Sequence, residues 1–404
     1  MNYKTLPLSY IIELQKGKKP NKVSGSYSNK TPEPYVTIEA FENQKAFQYA
    51  SRDKNSTYSN PGDLLIVWDG SRYGLIGKST GGIVGSTLAK IIPGKYIEKD
   101  FLFYFLLNNY KFIRSRKKGM GIPHLDTSIF DSLKIPLPPL SEQRRIVEIL
   151  DQADALRKKR AEADKLAERI IPALFYEMFG DPVTNPKKWR TTSLKDICTI
   201  VTGNTPSRKK PEYFGGNILW ARPADLNNGI IVKDTEEKIT YNAAKFGRIV
   251  EKGSVLVVCI GATLGKVGLA GSDMAINQQI NALLPSNDAS PEFLFSYCFL
   301  TQDIFRGAAT QATLPILNKS RFGLQKIFIP PKEIQDSYSR RFKEVLQIFE
   351  NQESSKNKIN SLFDSLLNLA FSGKLTAQWR EAHMQELLRE MEIQVRYLNS
   401  HNGE

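Results

Sequence analysis

Two kinds of stretch in this sequence carry residue types that could act in catalysis, but their spacing argues against it. Gly77-Lys78-Ser79 resembles the end of a phosphate-binding loop, which needs a glycine five positions before Gly77, where Arg72 stands. Asn60-Pro61-Gly62 and Asn185-Pro186-Lys187 lack the aromatic residue that stacks on a flipped base in adenine-methylating loops. We therefore interpret the glycines of the first motif as tight turns between strands and expect no methyltransferase loop.

A third pattern could hold a metal ion. Asp225, Glu236 and Lys238 fit the loose set of carboxylates and a lysine by which many nucleases bind one. Three such residue types at free spacing arise by accident in most chains of this size. A metal-dependent nuclease stays an alternative hypothesis, and solvated loop charges are the simpler interpretation.

The cysteines and histidines are too few and too scattered to predict a metal cage or a catalytic dyad. The cysteines are Cys198, Cys259 and Cys298, and the histidines are His124, His383 and His401. Cysteines without a CxxC pair are typical of a reducing cytoplasm, where we expect the protein to act. The sequence predicts a binding protein rather than an enzyme, with no cofactor or metal site of its own.

Clusters of basic residues with polar and aromatic neighbours indicate what is bound. Lysines mostly contact phosphates, whereas Arg, Asn and Gln can also read base edges. The candidate DNA-binding residues are Lys16, Lys18, Lys19, Lys22, Arg72, Tyr73, Arg114, Arg116, Lys117, Lys118, Arg208, Lys209, Lys210, Trp220, Arg222, Lys245, Arg248, Asn318, Lys319 and Arg321.

The net charge of +14 over 404 residues is confined to two blocks. Residues 1–140, here called head 1, carry 20 Lys and Arg against 11 Asp and Glu. Residues 181–331, called head 2, carry 18 against 12, and the remaining segments are close to neutral. Two basic blocks predict two phosphate-binding surfaces.

An internal repeat explains why there are two blocks. Shifted by 192 residues, Phe101-Leu102-Phe103 falls on Phe293-Leu294-Phe295, and Pro138-Pro139 falls on Pro330-Pro331. Nearer the start of each head the shift is 191, which pairs Gly70 with Gly261. The chain is therefore a tandem duplication.

The neutral segments after each head read as long helices with a narrow apolar seam. The seam of the first is Ile149, Ala153, Leu156, Arg160, Ala163, Ala167, Ile170 and Leu174. The shifted seam of the second is Arg341, Val345, Ile348, Gln352, Ser355, Ile359, Leu362 and Leu366. This 4-3 spacing predicts an antiparallel coiled coil with a head at either end, related by a pseudo-two-fold axis. The alternative is two unconnected domains whose helices fold back onto their own heads. Pro172 should kink the last turns of the first helix.

Each head reads as a mixed, strand-rich domain, which makes the fold class α+β. Leu64 to Trp68 and Val255 to Cys259 are short apolar runs that follow turn residues and predict buried strands. A further stripe at Met384, Leu388, Met391, Val395 and Leu398 predicts an amphipathic tail helix.

Several phrases of the sequence resemble one protein family. Ile135 to Gln143, IPLPPLSEQ, leads into the first long helix and recurs as IFIPPKEIQ from Ile327 to Gln335. WARPADL from Trp220, INQQI from Ile276 and FSGKL from Phe371 also match the family's second half. Over nearly its whole length the sequence resembles the DNA-specificity subunit of a type I restriction–modification enzyme.

The resemblance implies a non-catalytic subunit that binds double-stranded DNA. It implies target-recognition domains at 1–140 and 181–331 and spacer helices at 141–180 and 332–373, and the apolar stripe adds an amphipathic tail helix at 374–404. Each domain would read one half of a split target, and the helices would dock methyltransferase subunits, with restriction subunits completing the complex. S-adenosylmethionine, ATP and magnesium would belong to those partners.

Two rival functions remain open at this point. One is the nuclease built on Asp225, and the other is an adaptor that joins proteins through the helices without binding DNA. The longest strongly apolar run, Phe101 to Leu107, is seven residues, whereas a membrane span needs about 20. We therefore predict no membrane-spanning segment.

Overall fold

The computed structural model describes residues 3–118, 123–227, 229–246, 248–310 and 313–401, apart from the side chains of residues 117, 118, 246, 399 and 401. The chain forms two compact units, Met1–Arg160 with Ser355–Glu404, and Ala161–Ser354. Each unit contains one head together with a stretch of each long helical segment. The predicted tandem repeat of mixed α+β domains and long helices is confirmed.

Head 1 is built from short strands around two main sheets, ordered β2-β10-β7-β8 and β3-β5-β4-β9-β6. The strands are β1 (Thr5–Pro7), β2 (Ile12–Lys16), β3 (Val23–Ser24), β4 (Glu33–Val36), β5 (Tyr49–Ala50), β6 (Tyr58–Ser59), β7 (Leu64–Val67), β8 (Ile76–Lys78), β9 (Gly82–Val84), β10 (Leu88–Pro93), β11 (Lys117–Lys118), β12 (His124–Leu125) and β13 (Lys134–Pro136). The helices are α1 (Ile38–Asn43), α2 (Lys99–Asn108), α3 (Tyr110–Ile113) and α4 (Ile129–Ser132).

The first long segment is two helices rather than the single helix predicted for 141–180. They are α5 (Leu140–Ala167) and α6 (Ile170–Phe179), separated at Glu168 and Arg169. The break lies four residues before Pro172, because proline has no N–H to donate to the carbonyl of Glu168 and its ring crowds that carbonyl. The predicted irregularity caused by Pro172 is therefore a break between two helices.

Head 2 repeats the pattern, with sheets ordered β15-β23-β20-β21-β17 and β18-β16-β22-β19. Its strands are β14 (Arg190–Ser193), β15 (Cys198–Thr202), β16 (Phe214–Ala221), β17 (Ile231–Val232), β18 (Lys238–Ile239), β19 (Ile249–Val250), β20 (Val255–Val258), β21 (Val267–Ala270), β22 (Met274–Ile276), β23 (Ile280–Pro285) and β24 (Lys326–Ile329). Its helices are α7 (Leu194–Ile197), α8 (Tyr241–Phe246), α9 (Pro291–Leu300), α10 (Gln302–Ala308) and α11 (Lys319–Gly323).

The central strand of each head is buried on both faces, as its apolar run predicts. Side chains alternate along a strand, so Leu64 and Ile66 of β7 join one core cluster and Leu65 and Val67 the other. In β20, Val255 and Val257 likewise join a different cluster from Leu256 and Val258.

The second long segment is one helix, α12 (Lys332–Phe371), followed by α13 (Ala377–Ala382) and α14 (Met384–His401). Within each unit, α12 packs antiparallel to the first segment. In one unit Arg157 Nε donates to Asn360 Oδ1 at 3.2 Å. In the other unit, Phe179 at the end of α6 packs on Tyr338 near the start of α12, with ring centroids 5.0 Å apart. Ile171 near the start of α6 lies close to Leu346 and Phe349, which come later in α12, so the two helices run in opposite directions.

The predicted seams are correct at some positions only, and the wrongly predicted positions are equivalent in the two copies. Leu156 and Ile348 are 46% and 47% exposed, and Ile170 and Leu362 are 39% and 51% exposed. The next residue in each case, among them Ile171 and Phe363, is turned inward instead. Phe363 is 2% exposed, and the guanidinium of Arg157, another of these next residues, lies over its ring at 4.3 Å.

The tail folds back on the unit that contains head 1. Leu387 is fully buried and Gln394 is 4% exposed, whereas Leu388 and Val395 of the predicted stripe are 48% and 38% exposed. Tyr397 packs on Tyr96 of head 1 with ring centroids 4.9 Å apart. The tail is helical as predicted, and Leu398 of the predicted stripe packs against the core of head 1, but Leu387 and Gln394 take the most buried positions.

A buried ion pair holds the start of α5 against the tail. Glu142 is fully buried and accepts hydrogen bonds from Thr376 Oγ1 at 2.6 Å, from Arg380 Nη2 at 2.8 Å and from the Tyr3 hydroxyl. Burial is the main cause that raises the pKa of the Tyr3 hydroxyl, and its hydrogen bond to Glu142 raises it further.

Within the described residues, no helix is long and apolar enough to cross a membrane.

Candidate nucleic-acid interface

One edge of the main sheet of head 1 collects charged side chains from three separate parts of the sequence. Strands β2 and β7 both run antiparallel to β10, so their carboxyl ends lie at the same edge. Lys16 ends β2 and Asp69 follows β7, and Lys16 Nζ lies 3.1 Å from Asp69 Oδ2. His124 Nδ1 lies 2.6 Å from Asp69 Oδ1. We call Lys16, Asp69 and His124 the charged cluster of head 1.

The backbone around this cluster is a short antiparallel bridge between residues 69 and 124. Leu125 N donates to Trp68 O and Gly70 N donates to Pro123 O, both at 2.9 Å. These hydrogen bonds fix the relative positions of the two chain segments. The side chains of Asp69 and His124 are 20% and 47% exposed, so the cluster faces solvent.

Head 2 contains the same backbone bridge with different side chains. Ile260 pairs with Ile316, and Leu317 N donates to Cys259 O at 2.8 Å while Gly261 N donates to Pro315 O at 3.0 Å. Ile316 is 38% exposed and the neighbouring Leu314 is 55% exposed. Apolar side chains therefore occupy the positions that are charged in head 1.

Amide and hydroxyl side chains complete this edge of head 2. Thr205 follows β15, and its hydroxyl donates to Gln278 Oε1 and accepts from Asn277 Nδ2, the latter at 3.1 Å. Gln279 Nε2 donates to Ile260 O at 3.3 Å. We call Thr205, Gln278, Leu314 and Ile316 the amide and apolar edge of head 2.

A glycine is required beside each edge. A Cβ at Gly17 or at Gly203 would lie 2.2 Å from a backbone carbonyl oxygen, that of Gly85 and that of Ile276 respectively. The two chain segments can pass each other at this distance only without a side chain. This close approach places Lys16 of head 1 and Thr205 of head 2 at matching edges.

The basic candidates of head 2 divide into exposed residues and a semi-buried network. Arg222 is 20% exposed, and its Nη1 lies 2.5 Å from Glu237 Oε1. Arg208 Nη1 lies 2.8 Å from Glu237 Oε2, and its guanidinium lies over the Phe214 ring at 4.4 Å. The hydrogen bond from Arg208 lowers the pKa of Glu237. Arg222 therefore acts in an ion-pair network, while Arg208, 58% exposed, remains at the surface.

Trp220 does not reach the surface. It is 1% exposed and its Nε1 donates to Asn204 O at 3.2 Å. Its ring packs in a core with Ile239 and Ala243, because β16 turns this side chain inward. The predicted contact of Trp220 with DNA is replaced by a supporting role beneath the loop that carries Thr205.

Tyr73 and Arg114 of head 1 are also structural. Tyr73 is 7% exposed and its hydroxyl donates to Arg114 O at 2.7 Å. Arg114 Nη2 donates to Ser71 O at 2.9 Å and its guanidinium lies over the Tyr73 ring at 5.2 Å. Arg72, at 57% exposure, pairs with Glu42. The pair of Tyr73 and Arg114 holds the turn that follows Asp69.

Most other basic candidates are exposed, as a phosphate-binding role requires. They are Lys18, Lys19, Lys22, Arg116, Lys209, Lys210, Lys245, Arg248, Lys319 and Arg321. Asn318 caps α11 by accepting from Arg321 N at 2.9 Å. The side chains of Lys117 and Lys118 lie outside the described part of the chain, although β11 pairs with the strand that carries His124.

The residues of the nuclease hypothesis do not form a metal site. Asp225 is 4% exposed and its two oxygens accept from Arg222 N at 2.8 Å and Glu236 N at 2.9 Å. Lys238 pairs with Asp234 at 3.0 Å. Among the residues that the structure describes, no group of three or more His, Cys, Asp or Glu side chains could hold a metal ion.

Sequence reasoning did not select Asp69, His124, Thr205, Gln278 or Leu314 as site residues. The internal repeat carries the missed signal, because it aligns Asp69 with Ile260 and His124 with Ile316. A polar pair that replaces an apolar pair at equivalent, partly exposed positions distinguishes the two heads chemically.

Comparison with known proteins gives consistent results. The chain matches the family described as "Type I restriction modification DNA specificity domain" twice, over residues 2–166 and 186–361. It is 25% identical to the MjaVIII specificity subunit of Methanocaldococcus jannaschii, with 93% of each chain covered. It is 29% identical to the HindI specificity subunit of Haemophilus influenzae, covering 78% of this chain and 86% of that one.

Two solved structures share the fold. One is the S subunit of a type I restriction–modification system from M. genitalium, with a TM-score of 0.55, 16% identity and coverage of 92% of this chain and 96% of that one. The other comes from a study of complex assembly and conformational transition of the type I system, with a TM-score of 0.57 and 19% identity. That match covers 93% of this chain and 98% of the other.

Proposed function

The chain belongs to the type I restriction–modification DNA specificity family, and from this premise we propose that it is the sequence-specific DNA-binding subunit of such a complex. Each head reads one half of a bipartite target. The observation that carries this proposal is the double family match, one copy per repeat, which coincides with the two blocks that hold all the excess positive charge.

The proposal includes partners that supply the chemistry. The subunit is non-catalytic and docks methyltransferase subunits, and restriction subunits complete the complex. S-adenosylmethionine, ATP and magnesium act in those partners and not in this chain. We place the assembled complex in the cytoplasm, since its substrate is the cell's DNA.

Neither rival function is supported. Asp225, which a nuclease would need, is engaged by backbone N–H groups, and Lys238 pairs with Asp234. An adaptor that binds no DNA gives no reason for a family match to a DNA-specificity domain in both heads. It also leaves the basic excess of both heads without a role.

The function is tested by exchanging one head. We would replace residues 181–331 by the corresponding block of another family member, co-express the chimera with its methyltransferase partner and map methylated adenines across a genome. One half of the recognised sequence should change and the other should persist. The reciprocal exchange of residues 1–140 is the matched control and should change the other half.

Two results would contradict the proposal. Altered preference in both halves after one exchange would show that the heads do not read independently. Absence of salt-sensitive duplex binding by the native complex would favour the adaptor, because phosphate contacts make affinity fall steeply with salt.

A further inference from the structure

The two heads present different chemistry on one shared backbone frame. The bridge between residues 69 and 124 and the bridge between Ile260 and Ile316 have the same hydrogen-bond pattern. Both lie at the sheet edge next to a glycine that permits close chain approach. At these bridges the two heads therefore share a backbone arrangement and differ in their side chains.

The charged cluster of head 1 offers both a donor and an acceptor. Asp69 is an acceptor, so the His124 Nδ1 that faces it at 2.6 Å donates the hydrogen bond, and an imidazole held in this way can present an acceptor at Nε2. Lys16 Nζ, 43% exposed, is a donor. In the major groove, guanine presents two acceptors and cytosine presents the N4 donor.

The equivalent edge of head 2 offers an amide and apolar side chains instead of charged ones. Gln278 is exposed beside Thr205, and a glutamine amide can pair with the N7 acceptor and N6 donor of adenine. Leu314 and Ile316 are 55% and 38% exposed, and apolar side chains of this kind contact the thymine methyl group.

We propose that these two edges are the base-reading elements, with Lys16 and His124 recognising a G·C pair in the half-site of head 1. Gln278, Leu314 and Ile316 recognise an A·T pair in the half-site of head 2. Asp69 is a positioning residue that holds Lys16 and His124 in their reading geometry. This inference rests on the proposed function and assigns its specificity to named side chains.

The experiment transplants the apolar pair of head 2 into head 1. Asp69→Ile with His124→Ile uses the residues that the equivalent bridge already accommodates, so the backbone should be retained. Methylated sites are mapped for the complex of this chain with its methyltransferase partner. Preference for G·C at one position of the first half-site should fall about tenfold or more, and the second half-site should be unchanged.

A second variant and a control separate reading from folding. Gln278→Ala should relax an A·T position in the second half-site only. The matched control is Lys78→Gln with Asp100→Asn, a comparably exposed ion pair 2.6 Å apart at the opposite end of the same sheet of head 1. Neither half-site should change in the control.

A measurement on altered DNA needs no protein variant. Replacing the mapped guanine by 7-deazaguanine removes the N7 acceptor and should weaken binding of the native complex about tenfold. Unchanged binding, or an unchanged first half-site in the double isoleucine variant, would overturn the inference while leaving the proposed function intact. A native complex that directs no sequence-specific methylation would instead refute the proposed function itself.

Discussion

At the residue scale, charged side chains serve two separate purposes in this protein. Glu142 has no exposed surface and joins Tyr3 to Thr376 and Arg380, which lie far from it in the sequence. Arg380 is 11% exposed, so the pair is nearly desolvated. Lys209 and Lys210 are exposed, where a charge costs little and can meet a phosphate.

We expect Glu142→Gln to lower the free energy of unfolding by about 3 kcal/mol, because it leaves the Arg380 charge buried without its carboxylate. Urea denaturation followed by circular dichroism measures the change. Glu148→Gln in the same helix is the control, since Glu148 is 55% exposed in its pair with Arg145. Its effect should be below about 1 kcal/mol. Equal effects in the two variants would contradict the role given to burial.

We expect Lys209→Gln with Lys210→Gln to weaken DNA binding equally for all sequences. Two lost phosphate contacts should reduce the slope of log affinity against log salt by about 1.8. Fluorescence anisotropy with a labelled duplex over a salt series measures this slope. Lys158→Gln with Lys159→Gln on α5, outside both heads, should leave it unchanged. A changed base preference in the first variant would mean that these lysines read bases.

At the element scale, each head is fixed to its long helix by one buried glutamine. Gln143 Oε1 accepts from Glu98 N at 2.7 Å, and Nε2 donates to Tyr96 O at 2.9 Å and Pro138 O at 2.8 Å. Gln335 makes the equivalent bonds with Ser290, Asp288 and Pro330, each at 2.9 Å. Both glutamines are fully buried. The repeat thus conserves a three-bond connection within this chain.

We expect Gln143→Leu and Gln335→Leu each to cost about 3 kcal/mol of stability. Each substitution removes three hydrogen bonds and leaves one backbone N–H and two carbonyl groups, some of them buried, without their side-chain partner. Thermal denaturation of the single variants measures the losses, which should be of similar size because the bonds are equivalent. Gln347→Leu, at an exposed position of α12, is the control and should change stability little. Unchanged stability of the Gln335→Leu variant would exclude this anchoring role.

At the scale of the whole molecule, α5 belongs to both compact units, one ending at Arg160 and the next beginning at Ala161. A continuous helix is stiff and has a fixed rise per residue. We therefore expect the length of α5 to affect the spacing of the two half-sites.

We expect a four-residue insertion after Ala161 to lengthen the helix by about 6 Å and rotate its far end by about 40°. The complex should then prefer the same half-sites about one or two base pairs further apart, since base pairs are spaced about 3.4 Å along the axis. Methylation mapping reads out the spacing. A seven-residue insertion keeps the seam better and should be tolerated more readily.

An insertion of four residues after Glu381, in the tail, is the control and should leave the spacing unchanged. An active insertion variant at Ala161 with the original spacing would show that the helices do not set the distance between half-sites.

The sequence by itself determined the duplication, the two basic heads, the buried central strands and the long helices. These features depend on local residue patterns, such as the apolar run of β7, or on counting along the chain. Pro172 marked a helix irregularity for the same reason, because a missing N–H acts within four residues. The resemblance of motifs such as WARPADL to the DNA-specificity family was also recognisable from the sequence alone.

Only the tertiary structure decided the phase of the helix seams and the composition of the base-reading edges. A 4-3 stripe can be drawn in two phases one residue apart, and the partner surface that accepts Phe363 rather than Leu362 selects between them. Likewise, Lys16, Asp69 and His124 meet because two parallel-running strands end at one sheet edge. Trp220 is buried by the packing of β16 against residues from other parts of the chain. The basic residues near it in the sequence could not indicate this burial, because burial depends on contacts between distant segments.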